Sequence, residues 1–209
     1  MPQPEDEMII RSIEELEQTY GPVNPRALVK EINYISDHYR AFIEAAPFAV
    51  LATIGPDGTD CSPRGDAPGF VRVTSSREIL IPDRRGNNRL DTLRNIVLDG
   101  RISVLFLIPG IGETLRINGQ GVLSQDPDLC DSFAINGKSP ASVLKIQVSA
   151  VYFQCQKALV RSKLWDNNSQ IERNQLPTAG QILQALDKSG FDGREYDRNY
   201  PEHMKKTIY

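Results

Sequence analysis

The chain has 209 residues, of which 40% are hydrophobic and 24% are charged, and its formal net charge is -3. This length predicts one compact domain with a full hydrophobic core. The nearly balanced charge gives no support for a nucleic-acid interface, and apolar runs such as 102–108 are far shorter than the roughly 20 residues that span a bilayer.

The content of cysteine and histidine argues against a metal site and against a disulfide framework. The three cysteines are Cys61, Cys130 and Cys155, and the two histidines are His38 and His203. No two cysteines have the two-residue spacing of a zinc or redox motif, and so few ligands make a metal site improbable. The first seven residues, MPQPEDE, are acidic and unlike a secretory leader. We therefore expect a cytoplasmic protein without a metal.

The first fifth of the chain is predicted to be helical. Ser12 and Glu15 have the spacing of a capping box, and Gly21 ends the short helix that they begin. Asn24-Pro25 begins a second helix that ends before Pro47. Its predicted apolar face consists of Leu28, Ile32, Ile35, Tyr39 and Phe42.

From Phe48 onward the hydrophobic period is typical of strands rather than helices. Extended segments are predicted at 48–54, 59–64, 70–74, 78–82, 101–108, 113–123 and 142–153, with helices from 89 to 99, 127 to 133 and 155 to 164. A short helix ends at Gly190, and the last twenty residues have no periodicity. Counting about six strands, we predict an α+β, mainly β fold, a small and mostly antiparallel six-stranded barrel with N- and C-terminal helices.

The barrel core is expected at residues 47–166. Residues 1–46 are expected to be N-terminal helices packed on the barrel, and residues 167–209 a C-terminal helix and tail of the same single domain. No internal repeat is visible.

The stretch 79–93 contains the strongest sign of a ligand site. A strand end is followed by a loop with Gly86 and then by the start of a helix. Free N–H groups, the helix dipole and arginine side chains favour a phosphate there. The polar and basic residues are Asp83, Arg84, Arg85, Asn87, Asn88 and Arg89. An ordinary solvated turn would have the same composition.

Two further segments are candidates. In 61–66, Arg64 can face a ligand that approaches Gly65, or it can simply pair with Asp66 on the same strand face. In 157–166, a basic helix face precedes Trp165, which suits an anionic ligand with a ring but also suits a core position. No nucleophile–base constellation is present, so any chemistry is expected to come from a cofactor.

Together these segments resemble the FMN-binding split-barrel family of pyridoxamine 5′-phosphate oxidase-like proteins, in particular its branch of FMN-dependent enzymes of unassigned substrate. The matching stretches are 48–53, 61–66, 81–89, 116–119 and 157–165. The resemblance covers residues 25–166. It implies a homodimer that binds FMN at each of two subunit interfaces.

The resemblance also implies roles for individual residues. The strand with Ser62, Arg64, Gly65 and Asp66 lines the flavin ring, Pro82 and Asp83 lie near the ring or the ribityl chain, and Asn88 and Arg89 hold the phosphate. Thr114 and Arg116 lie where the second subunit touches the flavin, and Arg161 and Trp165 close the site. The family often has two consecutive basic residues at the phosphate loop, whereas Asn88 occupies the first position here. Either Arg84 or Arg85 can supply the missing charge.

Three functions are compatible with these residues. The first is an FMN-dependent oxidoreductase acting on an unidentified small substrate. The second is a flavin-binding carrier or sensor without turnover, and the third is a related barrel that binds haem or a deazaflavin. The resemblance also implies that true oxidases of the family use arginine and histidine side chains near the C-terminus to hold the phosphate of the substrate and to face the flavin. Because residues 161–168 contain no histidine, we do not expect a true pyridoxamine 5′-phosphate oxidase.

Overall fold

The computed structural model describes residues 9–209, so the acidic segment MPQPEDE lies outside the described residues. The helices are α1 (Ile13–Tyr20), α2 (Pro25–Val29), α3 (Asp37–Ala45), α4 (Asp91–Leu98), α5 (Pro127–Ser132), α6 (Lys157–Ser162), α7 (Ala179–Leu186) and α8 (Gly193–Thr207). The strands are β1 (Phe48–Gly55), β2 (Gly58–Gly65), β3 (Arg72–Ser75), β4 (Glu78–Pro82), β5 (Arg101–Leu107), β6 (Thr114–Ser124) and β7 (Val143–Gln154). Within residues 9–209, no helix has the length and apolar character needed to cross a membrane.

The strands form one antiparallel sheet in the order β2-β1-β5-β6-β7-β4-β3. The prediction of six strands in a barrel was wrong, because all seven extended segments form strands. The four-residue β3 pairs only with β4, at one end of the sheet. Strand β2 is the other end, and no backbone ladder joins the two ends, so the sheet is not closed. The fold is therefore a mixed α/β architecture around an open sheet.

The larger of two hydrophobic clusters packs against the sheet. Its members come from β1, β4, β5, β6 and β7 and include Leu51, Ile79, Val104, Phe106, Ile117, Ile146 and Val151. Helices α3 and α4 add Ile43 and Ile96 to this cluster. Each fully buried side chain of this size contributes roughly 1.5–3 kcal/mol of transfer free energy, so the cluster fixes where the strand ends and their loops lie.

The predicted second helix is two helices. Residues 30–36 leave the helix because Ile32 pairs with the sheet: its N–H donates to the Val151 carbonyl at 3.1 Å and its carbonyl accepts from Val151 at 2.8 Å. Ser36 then begins α3 by accepting a hydrogen bond from the Tyr39 N–H at 3.3 Å. The apolar residues keep their helical spacing through residues 30–36, so the sequence gives no sign of this break.

The expectation of an unpatterned C-terminus was also wrong, since α8 occupies residues 193–207. Asp192 begins the helix by accepting hydrogen bonds from two N–H groups of the first turn, both at 2.9 Å. Gly193 lies so close to Gly180 of α7 that a Cβ on Gly180 would be 2.1 Å from the Gly193 carbonyl oxygen. This close glycine contact between α7 and α8 is not visible as hydrophobic periodicity.

Candidate functional site

A polar cavity of about 780 Å³ lies between β2, the loop after β4 and the start of α4. Its volume is in the range of small-molecule sites, roughly 300–1,000 Å³. Short segments from four parts of the chain line it, namely 60–65, 82–93, Phe70 and 139–141. The cavity therefore brings together the phosphate-loop segment and the β2 segment that the sequence analysis selected separately.

Two ion pairs cross the cavity wall between β2 and the end of β4. Arg64 Nη2 lies 3.6 Å from Asp83 Oδ1, and Arg84 Nε lies 2.9 Å from Asp66 Oδ2. The alternative that Arg64 pairs with its neighbour Asp66 is thus wrong, because each carboxylate takes its partner from the other strand. The end of the edge strand β2 and the end of β4 are joined at this point by charge and not by a backbone ladder.

The loop from 83 to 90 has an unusual backbone. Asn88 and Leu90 adopt left-handed conformations with φ of 58° and 63°, which are uncommon for residues other than glycine. Leu90 is the N-cap of α4 and offers no side-chain acceptor, so α4 begins at Asp91 rather than at Arg89. The first N–H groups of a helix have no intrahelical partner. The start of α4 consequently presents uncapped N–H groups at the cavity.

The charged side chains around this helix start differ in their availability. The Arg89 guanidinium is 79% exposed and pairs with the Asp91 carboxylate. Arg85 is exposed and has no ion pair within the part of the chain that the structure describes. Arg84 is held by Asp66 and also donates to the Phe133 carbonyl at 2.7 Å. Of the two arginines left open by the sequence, Arg85 is the one whose charge is free for an anion.

This arrangement fits a phosphate group. Uncapped N–H groups and the helix dipole attract an anion, and arginine adds charge-assisted hydrogen bonds. Asn88 lies in the same loop and lines the same cavity. The residues present therefore match the requirements of a phosphate-bearing cofactor.

A chain of hydroxyl and charged groups supports the β2 side of the cavity. The Thr92 hydroxyl of α4 is hydrogen-bonded to the Asp60 carboxylate and lies 2.6 Å from the Ser62 hydroxyl. Arg64 Nη1 donates to the same Ser62 oxygen at 3.0 Å. This network fixes Ser62 and Arg64 against the start of α4. Sequence analysis did not select Asp60 and Thr92, which are 32 residues apart.

The two aspartates of the ion pairs have opposite protonation tendencies. Burial raises the pKa of Asp83, and the charge of Arg64 offsets only part of that effect. Burial also acts to raise the pKa of Asp66, but hydrogen bonds from the Ala67 N–H, the Tyr209 hydroxyl and Arg84 outweigh it, so this pKa is lowered. The cavity thus contains one carboxyl that retains its proton more readily than usual, and beside the cavity lies one that loses it more readily.

The structure brings together most of the predicted site residues. Those that line the cavity are Ser62, Arg64, Gly65, Pro82, Asp83, Arg84, Arg85, Asn88 and Arg89. Asp66 is next to the cavity through its pair with Arg84. Four predicted residues do not line it, namely Thr114, Arg116, Arg161 and Trp165.

These four residues lie in or next to β6 and α6. The Arg116 guanidinium donates to the Tyr152 hydroxyl at 3.1 Å, and the Trp165 indole N–H donates to the Ile111 carbonyl at 2.8 Å. Trp165 is therefore not a core residue of the sheet. Among residues 9–209 there is no group of three or more side chains placed to bind a metal ion.

The opposite pKa shifts of Asp66 and Asp83 give a paired prediction. The folded-state pKa of Asp66 is below its unfolded value near 3.8, so its contribution to stability is present above that pH and is lost as the pH falls through the folded pKa. Asp66→Asn should lower the free energy of unfolding by about 2–4 kcal/mol at neutral pH. The folded-state pKa of Asp83 is raised, so its ionisation reduces stability as the pH rises from 3.8 through the folded pKa. Asp83→Asn should therefore be as stable as the wild type at neutral pH, or more stable by up to about 1 kcal/mol.

Urea denaturation at several pH values measures both effects, and the two variants are matched controls for each other because each replaces one aspartate of one ion pair. The difference between Asp66→Asn and the wild type should shrink as the pH falls below 3.8. A larger loss of stability at neutral pH for Asp83→Asn than for Asp66→Asn would contradict the assigned shifts.

Comparison with known proteins gives one family. The sequence profile of the pyridoxamine 5′-phosphate oxidase family matches residues 35–155, more than half of the chain. No curated protein matches the chain. Similar solved structures include HupZ of Group A Streptococcus (17% identity, covering 58% of this chain and 94% of that chain, TM-score 0.48). Others are General Stress Protein 26 of Bacillus anthracis str. Sterne (15% identity, 54% and 88%, TM-score 0.42) and an FMN-binding protein of Syntrophomonas wolfei subsp. wolfei (13% identity, 55% and 82%, TM-score 0.42). On the family profile, which spans β1 to β7, the chain belongs to the pyridoxamine 5′-phosphate oxidase family.

Proposed function

We propose that this protein binds FMN in the polar cavity and acts as an FMN-dependent oxidoreductase on a small substrate. The observation that carries the proposal is the uncapped start of α4, which lies in the cavity wall beside Arg85, Asn88 and Arg89. Membership of the pyridoxamine 5′-phosphate oxidase family supports a flavin as the phosphate-bearing ligand.

The proposed arrangement puts the FMN phosphate at the loop 85–90 and at the first N–H groups of α4. Asn88 and Arg85 share the role that two basic residues have in the family, and Arg89 exchanges its Asp91 partner for the phosphate. The ring then lies along β2, next to Ser62, Arg64 and Gly65. Bound FMN supplies hydride and electron transfer, a chemistry that side chains do not perform by themselves.

The side chains along the proposed ring position bind and orient the ligand, and one of them has a raised pKa. Asp60 and Thr92 fix the Ser62 hydroxyl, so its direction is set before a ligand enters. Asp83 is partly buried and makes only a long ion pair, 3.6 Å from Arg64. With a raised pKa, its carboxyl is the group in this cavity best suited to exchange a proton with a bound substrate.

We further propose that the active form is a homodimer. The residues Thr114, Arg116, Arg161 and Trp165 lie outside the cavity of their own subunit, on or near β6 and α6. The same region exposes large apolar side chains, namely Val122 (61%), Phe153 (38%), Val160 (61%) and Leu164 (49%). A second copy packed on this surface would cover the apolar groups and bring the four residues to the partner's flavin.

Arg85→Ala and Arg89→Ala should each weaken FMN binding by about 10- to 100-fold, because each removes a charge-assisted hydrogen bond to the phosphate. Riboflavin has no phosphate, so its affinity should change little. Titration followed by the quenching of flavin fluorescence measures both ligands. Arg101→Ala is the matched control, since Arg101 pairs with Asp99 away from the cavity. Equal losses for FMN and riboflavin would contradict the phosphate assignment.

Light scattering of the FMN-loaded protein should give about twice the chain mass of 23.4 kDa at micromolar concentration. A homodimer interface commonly buries upwards of about 2,000 Å², and an interface of that size is expected to stay associated at this concentration. Val160→Glu, on the exposed face of α6, should shift the protein toward monomer and weaken FMN binding together. A monomer that binds FMN as tightly as the unmodified protein would refute the shared site.

The protein should be a poor pyridoxamine 5′-phosphate oxidase. The segment 161–168, which resembles the family's substrate-binding region, contains Arg161 but no histidine. Loss of one such polar partner typically lowers the rate by about 10²–10⁴-fold. Oxygen-dependent formation of pyridoxal 5′-phosphate, measured beside an authentic oxidase, tests this. Comparable catalytic efficiency in the two proteins would contradict the prediction and identify pyridoxamine 5′-phosphate as a substrate.

A further inference from the structure

The segment that follows the C-terminal helix α8 makes specific contacts next to the cavity. The Tyr209 hydroxyl donates to Asp66 Oδ1 at 2.8 Å, a contact between residues 143 positions apart. The Lys138 ammonium group donates to the Tyr209 carbonyl oxygen at 2.7 Å. In both contacts the partner of Tyr209 lies within the segment 35–155 that matches the family, whereas Tyr209 itself lies beyond it, two residues after the end of α8.

The partners of Tyr209 are directly connected to the cavity wall. Asp66 is 3% exposed at its side chain and uses its second oxygen to hold Arg84 Nε at 2.9 Å. Arg84 lines the cavity, and so does Ser139, the neighbour of Lys138. Tyr209 is thus connected to the cavity in two ways. Asp66 links it to Arg84, and Lys138 links it to the neighbouring Ser139.

The Asp66 carboxylate is fully engaged by this arrangement. One oxygen accepts from the Ala67 N–H and from Tyr209, both at 2.8 Å, and the other accepts from Arg84. A carboxylate fixed at both oxygens holds a guanidinium in one orientation. Arg84 is fixed a second time by the Phe133 carbonyl at 2.7 Å, so Tyr209, Asp66 and Arg84 form a continuous series from the helix to the cavity.

We propose that Tyr209 is a positioning residue of the cavity, which acts through Asp66 on Arg84 and thereby couples the docking of α8 to the binding of an anionic ligand. The choice of FMN as that ligand rests on the function proposed above, but the docking itself does not. Coupling between two sites is reciprocal. A ligand held more tightly when α8 is docked must therefore also increase the docking of α8.

The anchor at the other end of α8 makes this coupling local. Asp197 accepts a hydrogen bond from the Gly180 N–H of α7 at 2.9 Å and another from the Thr178 hydroxyl. This end of α8 stays attached to α7 when the Tyr209 contact is removed. Loss of the contact should therefore release the far end of α8 and the loop near Lys138 without unfolding the sheet.

Hydrogen exchange of the full chain, followed by mass spectrometry, tests the docking without a ligand. Tyr209→Phe keeps the ring and removes the hydroxyl, and we expect exchange in peptides from 198–209 and 133–142 to accelerate about 5- to 10-fold. Tyr200→Phe is the matched control, because Tyr200 lies on α8, stacks on Tyr196 and is 39% exposed. It should leave both peptides unchanged. Wild-type exchange rates in Tyr209→Phe would overturn the proposal.

Titration with FMN tests the coupling. We expect Tyr209→Phe to weaken FMN binding about 3- to 10-fold, and saturating FMN to slow exchange of 198–209 in the wild type. In an Asp66→Asn background, Tyr209→Phe should cause no further loss, because its effect passes through that carboxylate. Unchanged affinity in Tyr209→Phe, or an equal additional loss in the double variant, would overturn the positioning role. If the wild type binds no FMN, the proposed function fails, while the ligand-free exchange still decides whether α8 docks through Tyr209.

Discussion

The crossed ion pairs Arg64–Asp83 and Arg84–Asp66 are the interaction on which the site depends. They join the edge strand β2 to the end of β4, two parts of the sheet that no backbone ladder connects within residues 9–209. Proline explains part of this opening: Pro63 in the edge strand β2 and Pro82 at the end of β4 have no N–H to donate to a ladder. Ion pairs in place of backbone pairing leave a polar gap between the end of β2 and the end of β4, and the cavity occupies that gap.

The arginine side chains of the cavity differ in whether they already have an ion-pair partner. Arg64, Arg84 and Arg89 each have an aspartate partner, whereas Arg85 has none in the described part of the chain. The uncapped start of α4 adds the positive end of a helix dipole at the same place. An anion at the start of α4 can therefore contact Arg85 and the first N–H groups of the helix without breaking an ion pair. Only a contact with Arg89 would break one, the pair with Asp91. The rest of the cavity, where aspartate and arginine balance, suits the neutral or polar part of the same ligand.

The local features of the fold and site were predictable from the sequence, while contacts between distant segments were not. The strand segments and the polar loop 83–90 depend on residues within about ten positions of one another, which periodicity and turn chemistry report. The break in the second helix depends on Ile32 meeting Val151, and nothing near Ile32 signals it. The glycine contact that builds the α7–α8 hairpin joins Gly180 to Gly193, which a search for apolar patterns does not detect.

The same division applies to the site residues. Arg64, Asp83 and Arg84 were selected from the sequence, but their pairing across strands was not. Asp66 is only two positions from Arg64 and therefore offered a nearer partner. Asp60, Thr92 and Tyr209 were missed because each acts on a cavity residue far away in the chain. The proposed homodimer is a more extreme case, since the pattern within one chain does not show which of its surfaces would meet.

The visible absorption spectrum of the purified protein, together with the mass of any molecule released on denaturation, tests the central claim most directly. We predict the absorption bands of an oxidised flavin, either in the protein as purified or after it is loaded with FMN, and release of a molecule with the mass of FMN. A folded protein that releases haem or a deazaflavin, or that binds riboflavin and FMN equally well, would contradict the assignment of a phosphate site at the start of α4.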